Sequence, residues 1–142
     1  MWWPFKRKSD PAEDARHRAG VWGEKQAEHY LRRRGFRILG RRVRVGRRDE
    51  IDLLARDGDT LVFVEVKTRA SEDFGRPFSS VTRDKRHALS RAAVRYMMRL
   101  RRPPAYFRFD VVEVIGVEGE AAPEIRHIPN AFTLHPPYRV PW

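Results

Sequence analysis

The sequence predicts an α/β domain in which a mixed sheet is flanked by helices, with elements in the order α-β-β-β-α-β-β. Two observations carry this. First, Glu50–Arg56 and Thr60–Thr68 are runs of strand-forming residues separated by Arg56-Asp57-Gly58-Asp59, and Asp-Gly between apolar runs is a hairpin signal, because both residues accept the positive φ of a tight turn. Second, Leu89, Ala92, Ala93, Tyr96, Met97 and Leu100 recur at helical spacing. A helix placed between the third and fourth strands demands a parallel, right-handed crossover.

In chain order, residues 1–17 show no sustained period and are expected to form a flexible arm, whose Trp2, Trp3 and Phe5 either dock on the domain or stack on bases. A single domain is expected over 18–132. Its first helix runs from about Arg18 to Arg34 and stops at Gly35. Glu24 shares the inward face with Ala27 and Leu31, while Gly20 and Gly23 suggest close approach to another backbone. Phe36–Val45 reads as a strand with Arg37, Arg41, Arg42 and Arg44 outward; the run 41–48 faces phosphate or is simply solvated.

In the hairpin's second strand, a period of two sends Leu61, Phe63, Glu65 and Lys67 to one face and Val62, Val64, Val66 and Thr68 to the other. A two-residue loop pairing Arg56 with Asp59 leaves Asp52 diagonal to Glu65; a four-residue loop sets the two acids opposite each other. Phe74-Gly75-Arg76-Pro77 sits in a loop. Thr82 caps the helix 83–100, on which Lys85 extends the apolar stripe and either meets a phosphate or reaches water; Arg91, Arg95 and Arg99 form an outer, solvated ridge. Tyr106–Ile115 and the short Glu124–Ile128 complete the sheet, and 133–142 is an irregular, proline-rich tail.

The chain has 142 residues, 41% hydrophobic, enough for one core. The absence of cysteine excludes disulfides, thiolate zinc sites and a cysteine nucleophile. With no membrane-length apolar run and no signal-peptide core, a cytoplasmic protein is expected. Thirty Lys and Arg against 19 Asp and Glu give +11, which favours a nucleic-acid partner, although arginine-rich usage also follows from GC-rich coding.

Two acids and an ammonium on a buried hairpin make a poor core and a good seat for a hard divalent cation. Asp52 and Glu65 would hold Mg²⁺ or Mn²⁺ with the Val66 carbonyl and waters; Glu24 would position a water ligand or a second metal. Lys67 would orient the attacking water or neutralise charge. Glu24, Asp52, Glu65 and Lys67 are thus the candidate catalytic residues, and Lys85, Arg69, Arg44 and Arg42 the candidate nucleic-acid contacts.

The arrangement resembles the PD-(D/E)XK nuclease superfamily, with its restriction-endonuclease-like core. From Gly20 to Phe132 the chain is similar to the YraN-like family of small bacterial proteins. Carrying the resemblance are Gly23-Glu24, Glu50-Ile51-Asp52-Leu53-Leu54, Phe63-Val64-Glu65-Val66-Lys67-x-Arg69, Lys85, Arg108-Phe109-Asp110-Val111-Val112 and Asn130-Ala131-Phe132. It implies a metal-dependent endonuclease, similar in fold to archaeal Holliday-junction resolvases. DNA, branched DNA included, is the favoured substrate, and a homodimer is expected if two strands are cut symmetrically. The chain departs from the family in carrying Asp49 where Gly is usual and Arg42 where Asn is usual. The alternatives are a nucleic-acid-binding module without turnover, RNA-directed included, and a buried ion cluster with a purely structural role.

Overall fold

A computed structural model describes residues 8–71 and 81–142. The expectations for Trp2, Trp3, Phe5 and the loop around Gly75 lie outside the described residues. Seven elements follow in the expected order: α1 (Pro11–Arg33), β1 (Arg37–Val45), β2 (Asp49–Asp57), β3 (Thr60–Arg69), α2 (Arg83–Met98), β4 (Tyr106–Ile115) and β5 (Glu124–Phe132). The five strands form one sheet ordered β1-β2-β3-β4-β5, in which β3 and β4 are parallel and every other pair is antiparallel. Among the described residues no helix is long and apolar enough to cross a membrane.

Each helix covers one face, as the alternation along β3 demands. Ala27 and Leu31 of α1 pack on Leu53, Val62, Val64 and Val112. Leu89, Ala92, Ala93 and Met97 of α2 pack on Ile51, Leu54, Phe63 and Phe109 on the other side. A strand buried on both faces reads as a near-continuous apolar run, which is what β3 shows up to Val64.

Four boundaries differ from expectation. Helix α1 starts at Pro11, within the segment expected to be an arm, because Asp10 caps it by accepting from the Ala12 N–H, Pro11 fills the first turn, and Glu13 and Asp14 favour the helix dipole. This first part is solvent-exposed, so it carries no apolar stripe that could reveal it. The β2–β3 turn falls on Gly58-Asp59, one residue later than Asp57-Gly58, with Gly58 at φ +60°. Helix α2 ends at Met98, two residues short of the predicted 100. Strand β5 runs on to Phe132 through Pro129, past the expected end at Ile128; a bulge where Asn130 takes φ +49° lets this edge strand tolerate the proline. Phe132 then stacks on Phe109 at 4.7 Å.

The stretch beyond Phe132 has no helix or strand and is docked: Leu134 and Val140 pack on the α2-side core and the His135 N–H donates to the buried Ser90 hydroxyl at 2.8 Å.

Of the two helix glycines, only Gly23 marks a close approach. A β-carbon there would lie 1.9 Å from Thr68 Oγ1 on β3, whereas Gly20 faces open space, so the neighbour is a side chain and not another backbone. Gly23→Ala is therefore expected to destabilise the fold by about 1–3 kcal/mol through overpacking. Equilibrium denaturation measures the loss, and combining it with Thr68→Ala should recover part of it.

Candidate active site

The register of the hairpin builds the site. Strands β2 and β3 pair from Asp57–Thr60 up to Leu53–Val64, and one further step sets Asp52 opposite Glu65. This is the second of the two registers the sequence allowed. Beyond Leu53 the ladder stops, and the Asp52 carboxylate takes the Val66 N–H at 2.9 Å in place of a backbone acceptor. Asp52 is thereby locked between the two strands where they separate.

Glu65 is buried on the α2 face, continuing the line of Leu61 and Phe63 as predicted. Its Oε1 accepts from Lys67 Nζ at 3.2 Å and from Lys85 Nζ at 3.3 Å. Lys85 reaches it from the first turn of α2, which Thr82 caps through the Lys85 N–H. The inward lysine, its side chain still partly exposed, thus meets the strand carboxylate. The other oxygen, Glu65 Oε2, is buried with no hydrogen-bond partner among the described residues.

The electrostatics follow from that geometry. Burial, and then the Glu65 charge, push the Asp52 carboxyl up to about 8, against the Val66 N–H, which favours the anion; Glu24 adds a smaller push. Lys85 is also held up, which here favours its charged form: burial disfavours the charge, but Glu65 and Asp52 outweigh it and hold the ammonium above its ordinary value.

A carboxyl whose proton affinity is raised by burial and by the neighbouring Glu65 charge, beside a buried Glu65 oxygen with no partner among the described residues, fits a hard divalent cation, which would supply positive charge there. Among the described residues no group of three or more acids or histidines is placed to hold a metal. The oxygen set is thus the pair Asp52 and Glu65, and Mg²⁺ characteristically takes one or two carboxylates and keeps several waters.

Glu24 stands apart. Its Oε2 accepts from Arg42 Nε at 2.7 Å, and its field reaches Asp52 without its carboxylate joining the pair. Arg42, expected to meet phosphate, is spent on this contact and sits at φ +45°, a conformation that Asn adopts more readily than Arg. Arg44 is exposed on edge strand β1, opposite Glu50, and Arg69 is exposed at the end of β3, where its carbonyl accepts from the Gly116 N–H. The structure therefore brings Asp52, Glu65, Lys67 and Lys85 together; it holds Glu24 with Arg42 and leaves Arg44 and Arg69 at the surface.

Several ionic contacts were not foreseen. Asp49 is buried and forms a two-pronged pair with Arg91, both distances 2.7 Å, so Arg91 belongs to no solvated ridge. Glu28 is shared by Arg32 and Arg41, which pull its carboxyl below the usual range. Asp110, fully buried, accepts from Arg108 and the Asn130 N–H and lies 2.7 Å from His127 Nε2. Glu113, also buried, neighbours Lys67 in the parallel register. The alternation in β4 could have flagged Glu113, which follows Phe109 and Val111 on an apolar face; nothing local points to the Asp49–Arg91 pair.

Comparison with known proteins places the chain among relatives of like length. Residues 23–114, from Gly23 through most of β4, match the family model described as uncharacterised protein family UPF0102. A UPF0102 protein of Geobacter metallireducens is 47% identical over 115 residues, covering 81% of this chain and 92% of the relative. One from Symbiobacterium thermophilum is 47% identical over 116 residues, 81% and 96% respectively. One from Chlorobaculum tepidum is 44% identical over 119 residues, 81% and 92%.

The raised Asp52 carboxyl has a measurable consequence. Between the ordinary aspartate value of about 4 and the folded value of about 8, the native metal-free protein keeps a proton that the unfolded chain releases. Stability is therefore greatest at the acid end of this window and falls as pH rises through it, by at most about 1.4 kcal/mol per pH unit. Denaturation in EDTA between pH 5 and 8 should show this slope, and Asp52→Asn should flatten it.

Proposed function

The chain belongs to uncharacterised protein family UPF0102, within the PD-(D/E)XK nuclease superfamily, and we propose that it is a metal-dependent endonuclease hydrolysing phosphodiester bonds in DNA, branched DNA included. The observation that carries the proposal is the opposed Asp52–Glu65 pair with its unpartnered Oε2 beside two lysines.

Asp52 and Glu65 would hold Mg²⁺ or Mn²⁺, which when bound supplies charge to the phosphoryl oxygens and makes a coordinated water more acidic. The remaining work falls to the chain's own groups. In the metal-free protein Lys67 and Lys85 both neutralise Glu65 Oε1. With a cation sharing Glu65, both ammonium groups would be free to donate elsewhere. Lys67, on the strand, orients the attacking water or donates to a phosphoryl oxygen as negative charge grows on it. Lys85 donates to a second oxygen or to the neighbouring phosphate. Water oxygen bonds to phosphorus, the bond to the leaving sugar oxygen breaks, the water gives up a proton to solvent, and the leaving oxygen takes one up from solvent. Glu24 acts from outside this set through its field and through Arg42.

The first test is the thermal midpoint with and without Mg²⁺ or Mn²⁺. Wild type should be stabilised, by about 2.7 kcal/mol when the free ion is a hundredfold above its dissociation constant, and Asp52→Ala should lose the effect. Lys67→Gln should keep the metal response yet lower kcat by about a hundredfold or more on a cleavable substrate. Purified protein inert on branched, single-stranded and duplex DNA with either ion would sink the nuclease reading; salt-sensitive binding retained equally by wild type and Asp52→Ala would then identify a binding module.

A further inference from the structure

The Asp49–Arg91 pair lies at the centre of an uncompensated cluster of cations. Asp49 is buried, and its one charge is already taken by the two-pronged Arg91 contact. Arg48 and Arg95 act on the same carboxylate electrostatically without bonding to it. Arg95 lies one helical turn beyond Arg91 on α2, with its guanidinium against the β1–β2 turn: a β-carbon on Gly46 would come within 3.1 Å of Arg95 Nη1. Gly46, at φ +68°, leaves room for it. Arg47 and Arg48 occupy the rest of the turn and are exposed, as is Arg95. Among the described residues no carboxylate bonds to Arg47, Arg48 or Arg95, and the nearby Arg44 faces Glu50 across the strands.

Like charges gathered at one spot repel, and water and salt screen them only in part. A surface kept merely soluble would disperse them. Here a buried pair fixes α2 against the β1–β2 turn and so holds Arg95 against Gly46, in the turn that also carries Arg48. The arrangement has the geometry of an anion seat whose anion is supplied from outside.

We propose that Arg48 and Arg95, with Arg47 at the turn, form a second phosphate-binding site that grips the polynucleotide backbone away from the bond to be cut. The inference rests on the nucleic-acid reading above and adds to it where the substrate runs. Asp49 is three residues from Asp52 along β2, a rise of roughly 10 Å at ~3.3 Å per residue. Lys85 and Arg95 are ten residues apart on α2, roughly 15 Å at ~1.5 Å per residue. With one phosphate per ~3.4 Å of axis on each strand, the second site meets the backbone about three or four phosphates from the scissile one. The bound nucleic acid therefore runs from the Asp52–Glu65 pair across the N-terminal end of β2 towards the edge of the sheet. Asp49 and Arg91 are positioning residues for this contact and do not touch the phosphate.

The test is the affinity for a fluorescent 25-base-pair DNA duplex, measured in EDTA over a range of salt concentrations so that binding is read without hydrolysis. Each phosphate contact contributes about −0.9 to the slope of log K against log salt. The double variant Arg48→Ala/Arg95→Ala should reduce the magnitude of the slope by about two. Lys25→Ala/Arg33→Ala, which removes two exposed cations from α1, should leave it unchanged, and matching thermal midpoints will show that all three proteins are folded. A slope unchanged in the Arg48/Arg95 variant, or lowered equally in the α1 variant, overturns the second site while the proposed nuclease stands. Wild type with no salt-dependent affinity for the duplex overturns the site together with the nucleic-acid reading on which it rests.

Discussion

Two carboxylates facing each other across a hairpin, where water is scarce, set the terms for the rest of this molecule. Asp52 and Glu65 cannot both hold charge there cheaply, so the fold supplies cations from two directions: Lys67 from the same strand and Lys85 from the helix that covers it. That requirement explains why α2 must begin where it does. Its cap at Thr82 places Lys85 in the first turn, and its apolar stripe from Leu89 onward then lies along the sheet. Helix α1, on the opposite face, reaches the site only through Glu24 and Arg42.

Much of this was legible in the sequence, and the reasons differ by residue. Alternation along β3 placed Glu65 and Lys67 in line with Leu61 and Phe63, since side chains in a strand have no other choice. The parallel β3–β4 pair followed from a helix lying between two strands. Register was open because Asp57-Gly58-Asp59 allows the turn to slip by one residue, and only the position that takes φ +60° at Gly58 decides it. The inward stripe revealed Glu24 but not its partner, because Arg42 is aimed by a local departure from strand geometry that no periodicity encodes. Arg91 was assigned to solvent for a related reason. Its partner Asp49 lies 42 residues away in sequence, and helical spacing alone cannot distinguish an exposed arginine from one that has a buried acid beneath it.

The ionic contacts also correct what net charge suggests. A surplus of +11 invites every arginine to be counted as a phosphate contact. Yet Arg41 and Arg32 are engaged with Glu28, Arg42 with Glu24, Arg91 with Asp49, and Arg108 with Asp57 and Asp110. These pairs bind β1 to α1, β2 to α2, and the end of β2 to β4. Arginine here is first a cross-link between elements, its planar fork suited to two-pronged contacts with acids. Among the described residues, Arg47, Arg48 and Arg95 belong to the cations left without a bonded acid, and they sit at the β1–β2 turn and on the exposed side of α2.

The parallel pairing of β3 with β4 bears on the order in which the chain takes shape. Contacts between segments that flank an entire helix close a long loop and form more slowly than a hairpin does. The β2–β3 hairpin, with its two acids, is a local structure, while Lys85 cannot take its place until α2 has docked, and α2 docks against a surface completed by Phe109 and Val111 of β4. A chain emerging from the ribosome would thus carry the acidic pair well before it carries the helix lysine beside it. The pair flanked by both lysines would form only once β4 is out.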